Sequence, residues 1–232
     1  MKRLNILYTY IIMSNPVYDL GIKYDTDKVT HHEYHTVYDF FLKSLYNNTG
    51  SILEVGIYSG KSLKMWKELF PNAFIYGMDI GRGYSGERFD VIKGDQSNIA
   101  DLNRVKDTIQ NNNVFFINDD GSHIPEHQLL TFNILFSALC EGGVYIIEDI
   151  ETSYWTRGGL YGYQTRYGYK NQNSIIEIFK EVADSINTEF AGKRPNRVEH
   201  HESIGSITFS RNCIIITKKT QKTRPYRFSH VL

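Results

Sequence analysis

The residues able to do chemistry gather at the ends of short apolar runs. Glu54-Val-Gly56-Ile-Tyr58-Ser-Gly60 follows the first run, where glycines let backbone approach a ligand before turning into a helix. Asp79 closes the second run, about 20 residues on, where an acid accepts hydrogen bonds from a ribose diol. Gly94-Asp95-Gln96 closes the third and is placed to meet an adenine. This order of groups predicts an adenosine-containing cofactor. Its loop reads GxxxG rather than the GxGxxG of dinucleotide enzymes, and an acid precedes it. A carboxylate at Glu54 repels a pyrophosphate but attracts a cationic sulfonium and an amino group. Charge therefore selects S-adenosylmethionine over NAD, with Glu54, Gly56, Tyr58, Gly60, Asp79, Asp95 and Gln96 as its contacts.

Those groups work together only if the intervening chain forms an open α/β sheet, which binds ligands at the carboxyl ends of its strands. From Ser51 to Glu148, short apolar runs alternate with amphipathic stretches, the pattern of a parallel sheet with helices on both faces. Strands are predicted at 51–55, 73–79, 89–93, 114–117 and 144–147. Helices are predicted at 61–70, at 101–110 and from Pro125, a favoured first helical residue, to about Leu139. Four glycines and four tyrosines in Arg157 to Tyr169 suggest a lid-like loop. A helix at 173–184 and an antiparallel hairpin formed by 205–209 and 213–217 complete the chain.

Composition sets limits on function. At 232 residues the chain is long enough for one well-buried α/β domain. Lys plus Arg and Asp plus Glu both number 26, so the basic excess expected of a phosphate-backbone binder is missing and nucleic acid is not the expected partner. Cys140 and Cys213 lack CxxC spacing and read as buried free thiols of a reducing compartment. Met1 to Met13 imitates a short signal peptide, but Asn5, Tyr8, Thr9 and Tyr10 interrupt it and no small-residue cleavage site follows. It is also too short to cross a bilayer. Residues 1–20 are therefore expected to be a floppy extension, with Met13 an alternative start, and 21–232 a single catalytic domain. No membrane partner is expected, and the location is cytoplasmic (the host cytoplasm for a viral chain); a homo-oligomer is compatible with these features.

Further blocks carry a resemblance. Thr26-Asp27-Lys28, His31-His32-Glu33-Tyr34, Leu53-Glu54-Val-Gly56, Tyr76-Gly77-Met-Asp79, Gly94-Asp95-Gln96, Asn118-Asp119-Asp120-Gly-Ser-His123, and Ile147-Glu148-Asp149 ending in Thr152-Ser-Tyr154-Trp155 resemble the metal-dependent macrolide-sugar O-methyltransferases. Asp-Asp-Gly-Ser-His with a later Glu-Asp pair is the specific part; Glu-Val-Gly marks only the wider superfamily. The resemblance implies a Rossmann-like class I methyltransferase fold with a mostly parallel, seven-stranded sheet ending in an antiparallel hairpin. It also implies Asp120, Glu148 and Asp149 as ligands of Mg²⁺ or another hard divalent cation such as Mn²⁺, and His123 as the base. Asp27, close to His31-His32, and Asp119 join the cofactor contacts. The family carries a further N-terminal domain that finds no match in this sequence, so acceptor and assembly need not agree.

The chemistry suits that ligand set. A sugar hydroxyl barely ionises at neutral pH, and a bound divalent cation acidifies its oxygen ligand. Hard cations prefer carboxylates. Successive strand residues face opposite ways, so Glu148 and Asp149 can both bind one ion only if the strand turns between them. The expected acceptor is a hydroxyl of a sugar or glycoside. A catechol-type phenol acceptor and a non-catalytic cofactor-binding subunit are the alternatives. Asn15-Pro16-Val17-Tyr18 raises a nucleic-acid amino-methyltransferase, but it lacks the second proline of that motif and precedes the glycine loop. His127 reads as a surface helical residue, His200-His201 as unrelated to a metal, and Tyr154-Trp155 as core or substrate platform.

Overall fold

The computed structural model of the chain describes residues 14–160, 163–187 and 196–220. The expected extension therefore falls mostly outside the described residues, as do Tyr161 of the tyrosine-rich stretch and the alternative start at Met13. Helix α1 (Pro16–Tyr24) begins inside the stretch expected to be floppy. Asn15 caps it by accepting from the Tyr18 amide, Pro16 opens its first turn, and Val17 is fully buried. The Asn-Pro-Val-Tyr segment is thus accounted for as a helix cap. Two more short helices follow, α2 (Asp27–Thr30) and α3 (His35–Leu42).

The central sheet has strands β1 (Gly50–Val55), β2 (Ala73–Asp79), β3 (Tyr84–Gly86), β4 (Phe89–Lys93), β5 (Val114–Asp119) and β6 (Leu139–Glu148). A two-residue hairpin, β7 (Gly159–Leu160) with β8 (Tyr163–Gln164), stands apart. Strands β9 (Ile204–Ser210) and β10 (Cys213–Lys218) close the sheet, whose order is β3-β4-β2-β1-β5-β6-β10-β9. The four pairings from β4 to β6 are parallel, and β10 runs antiparallel to both β6 and β9. Seven strands were expected; the eighth is β3, a three-residue edge strand antiparallel to β4 and too short for an alternation signal. The last parallel strand, predicted at 144–147, begins earlier: β6 starts at Leu139 and runs through Gly142 and Gly143, with a register shift opposite Val114 and Phe116.

Alternation along the strands divides the core in two. Leu53, Val55, Ile117, Tyr145 and Ile147 pack beneath α5 (Ile99–Ile109), α6 (Pro125–Leu135) and α7 (Ile175–Ile186). Ile52, Ile75, Phe116, Ile146 and Ile215 face α1, α3 and α4 (Lys61–Leu69), where Trp66 is fully buried. That period of two also decides which way the polar residues at the strand ends point. No helix among the described residues is long and apolar enough to cross a membrane. Cys213 is buried as expected and Cys140 is half-buried; both are free.

Candidate functional site

A cavity of about 670 Å³ opens at the carboxyl ends of β1, β2, β4, β5 and β6. Gly56, Tyr58, Asp79, Gly94, Asp95 and Gln96 line it, and so do Asp27, Asp120, His123 and Asp149. Most of the groups expected to hold the cofactor and most of those expected at the metal thus share one space.

The glycine loop is built around Asp79. Its Oδ2 accepts from the amides of Ile57 and Tyr58, both at 3.0 Å, and its Oδ1 accepts from Gly81 at 2.7 Å. Gly56 has φ +86°, and a Cβ there would lie 2.7 Å from the Asp120 carbonyl carbon and 2.8 Å from Gly121 Cα. Meanwhile the Asp120 amide donates to the Val55 carbonyl at 2.9 Å. This glycine is therefore required by the close approach of the β5 terminus to the loop. Gly60 ends the loop as the N-cap of α4 and does not line the cavity. Asp95 holds its own turn through Ser97. Gln96 bridges the next one, donating to Asp119 Oδ1 at 2.6 Å and accepting from the Ser122 amide at 2.8 Å. Asp119 lies on the α5 side of the sheet, fully buried and outside the cavity lining, and burial lifts its carboxyl to about 7.

Glu54 is placed otherwise than charge alone suggested. It shares the face of Ile52, so its carboxylate turns under the loop, accepts from Ser62 Oγ at 2.8 Å and does not line the cavity. Its cationic partner is Lys28 of α2, whose Nζ lies 3.3 Å away. The same ammonium contacts Asp120 Oδ2 and donates to both oxygens of Glu148 at 2.9 Å. Lys28 is 1% exposed. Burial disfavours its charge, but Asp120, Glu148 and Glu54 outweigh that and hold it well above the usual lysine value.

The strand does turn between Glu148 and Asp149. Asp149 adopts φ 52° and ψ 54°, and a 3₁₀ turn follows over Ile150–Tyr154. Glu148 keeps to the α3 face, where Tyr38 Oη donates at 2.5 Å and Asn118 Nδ2 at 2.7 Å; burial raises its carboxyl to about 8. Asp149 swings toward the cavity instead, accepting from Tyr34 Oη at 2.5 Å and Asn212 Nδ2 at 3.0 Å. His123, also in the left-handed region at φ 57°, puts Nε2 3.2 Å from Asp120 Oδ1 and 3.5 Å from Asp149 Oδ2. Burial alone would favour neutral imidazole, but the hydrogen bond and charge of Asp120, with Asp149 and Glu151, bring His123 to about 9.

One ligand atom from each of Asp120, His123 and Asp149 falls within a 4.8 Å set able to hold a metal ion. Glu148 lies outside that set, engaged with Lys28, Tyr38 and Asn118. His32 reaches Asp149 at 3.5 Å and stacks on Tyr34, which stacks on Tyr38. His127 contacts Ser122 Oγ at 2.8 Å, and His201 contacts the Val198 carbonyl, so neither joins the acidic group. Tyr154 is half exposed on the 3₁₀ turn.

Sequence reasoning gave no role to Lys28, Tyr34, Tyr38 or Asn118. The available signal was parity. Ile52 and Glu54, Phe116 and Asn118, and Ile146 and Glu148 each point to one face, so a buried acidic patch there called for a cation from the helices above it.

No protein-family model matches the chain. The L-olivosyl-oleandolide 3-O-methyltransferase of Streptomyces antibioticus is 33% identical over 75% of this chain and 46% of its own length. The mycinamicin VI 2''-O-methyltransferase of Micromonospora griseorubida is 32% identical over 77% of this chain and 46% of its own. A solved structure of the MycE methyltransferase from the mycinamycin biosynthetic pathway, in complex with Mg, SAH and mycinamycin VI, superposes with a TM-score of 0.77. It is 27% identical over 89% of this chain and 54% of that one. The chain spans about half the length of these relatives.

Proposed function

As a homologue of the macrolide-sugar O-methyltransferases along about half their length, this chain has the class I methyltransferase fold, and we propose that it methylates a hydroxyl of a sugar or glycoside from S-adenosylmethionine with the help of Mg²⁺ or Mn²⁺. The observation that carries this reading is the single cavity running from the glycine loop and Asp79 to Asp120, His123 and Asp149. Its volume of about 670 Å³ lies in the range of small-molecule and cofactor sites.

In this reading Asp79 meets the ribose, and Asp95 with Gln96 borders the adenine. Attraction for the cationic end of the cofactor, first assigned to Glu54, comes from acids that line the cavity and do not take the cation, Asp27 among them. Asp120, Asp149 and Glu148 would hold the cation. Oxygen donors fit a hard ion; Asp120 and Asp149 already converge, and Glu148 shares the Lys28 ammonium with Asp120. When bound, the cation acidifies an acceptor hydroxyl and neutralises carboxylates that otherwise keep His123 protonated. His123 takes the acceptor's proton while the new C–O bond replaces the C–S bond and S-adenosylhomocysteine leaves. Tyr34 and Asn212 fix the orientation of Asp149.

The test is methyl transfer from labelled S-adenosylmethionine to a panel of glycosides, nucleotide sugars, flavonoids and catechols, with Mg²⁺ or with EDTA. Labelling of a sugar hydroxyl that EDTA abolishes and Mg²⁺ restores supports the reading. Full activity in EDTA, or transfer confined to catechols, overturns it.

A further inference from the structure

Lys28 stands out because nothing in the transfer chemistry calls for it. It is a lysine with 1% exposure, on a four-residue helix, and it does not line the cavity. Three carboxylates from the ends of three adjacent strands meet its Nζ: Glu54 of β1, Asp120 just past β5, and Glu148 of β6. Buried charges of one sign cannot be gathered without a counter-ion, since each costs several kcal/mol to take out of water. An apolar filler could not replace the ammonium, because it would leave the carboxylates adjacent and uncompensated.

The contacts are distributed in a way that suits a second cation. On Asp120, Lys28 takes Oδ2 while Oδ1 is directed to His123. On Glu148 it donates to both oxygens; Tyr38 and Asn118 also donate to Oε1, so the oxygen that keeps a lone-pair position is Oε2, which accepts from Lys28 alone among the described residues. The lysine is itself held, because its carbonyl accepts from the Tyr34 amide at 2.8 Å and the Thr26 carbonyl anchors α2 through Val29 and Thr30. Tyr34 in turn reaches Asp149. One short segment, 26–34, thereby sets the orientation of all three proposed ligands.

We propose that Lys28 is a positioning residue whose buried ammonium, bound to Glu54, Asp120 and Glu148, pre-assembles the acidic side chains that receive the divalent cation. This rests on the cation reading given above. It assigns to the Thr26-Asp27-Lys28 block a role in ordering the metal ligands, separate from cofactor contact.

The test uses Mn²⁺ binding, followed by electron paramagnetic resonance in the presence of S-adenosylhomocysteine, with binding of that product measured separately by calorimetry. Two variants are compared with the unmodified chain. Lys28→Met combined with Glu54→Gln removes one charge of each sign and leaves the balance unchanged. Lys28→Arg keeps the charge but replaces the compact ammonium with a larger planar group. Loss of a residue that orients metal ligands typically costs about 10- to 100-fold in metal affinity. Both variants are expected to show that loss while binding S-adenosylhomocysteine within about two-fold of the original. If the double variant does not fold, the arginine variant decides alone. A folded variant that binds Mn²⁺ as tightly as the original chain overturns the inference and leaves the functional reading standing. Absence of Mn²⁺ binding by the unmodified chain overturns the functional reading itself.

Discussion

Replacing Gly56 with alanine tests whether the cofactor loop and the acidic site are mechanically one unit. Alanine at φ +86° carries the left-handed penalty of about 1–2 kcal/mol. Its Cβ would also overlap the Asp120 carbonyl oxygen, with the carbonyl carbon at 2.7 Å and Gly121 Cα at 2.8 Å. These are backbone atoms that no rotamer change moves, so an overpacking cost of about 1–3 kcal/mol adds to the first. The sum, about 2–5 kcal/mol, is a large part of the stability of an ordinary domain. With a urea slope of about 2 kcal/mol/M, the unfolding midpoint should fall by roughly 1–2.5 M. Gly60→Ala provides the control: φ is +73°, but the nearest atom to its Cβ is the Tyr84 hydroxyl at 3.3 Å, so only the backbone penalty of about 1–2 kcal/mol applies. Relief of the clash at Gly56 must push Asp120 off the Val55 carbonyl, and calorimetry should then show weaker binding of both S-adenosylhomocysteine and Mn²⁺. Equal midpoints for the two variants, or unchanged ligand binding by Gly56→Ala, would refute the coupling.

Other perturbations separate the roles further. His123→Ala should lower kcat by about 10² or more with product binding unchanged; an unaltered kcat removes it from proton transfer. NMR of the cation-free protein should find the His123 imidazole titrating at about 9, with the value falling on addition of Mg²⁺; titration at an ordinary histidine value would mean that Asp120 does not engage it. Asp79→Asn keeps the side-chain size but removes the charge that accepts three backbone amides; at about 1.5–3 kcal/mol for a hydrogen bond to a charged group, cofactor affinity should drop at least about ten-fold. Wild-type affinity in that variant would place the ribose elsewhere. Tyr34→Phe removes a donor to Asp149 and should weaken Mn²⁺ more than S-adenosylhomocysteine; the reverse order would disconnect Tyr34 from the ligands.

The sheet was legible because its strands are apolar runs with punctuated ends: Glu54 to Gly60, Asp79 and Gly94-Asp95 mark where β1, β2 and β4 stop. Asp120, His123 and Asp149 could be singled out by their blocks, and the fold brings them to one cavity. Side-chain direction was harder to read. Charge reasoning sent Glu54 toward the ligand, but parity with Ile52 sends it toward α4 and Lys28. Lys28 itself was hidden because its three partners lie 26, 92 and 120 residues away, beyond any local pattern. The edge strand β3 is too short for alternation to register, and the buried faces of α1 and α3 depend on packing against α4 and the sheet.

The account stands on one hard cation bound beside the adenosyl cofactor in a common cavity. Crystals grown with S-adenosylhomocysteine and Mn²⁺ allow the ion to be located by its anomalous scattering. The predicted result is a peak in direct contact with carboxylate oxygens of Asp120 and Asp149, in the same cavity as a cofactor whose ribose meets Asp79. A peak elsewhere on the molecule, or a cofactor in this cavity with no manganese beside those carboxylates, would contradict it.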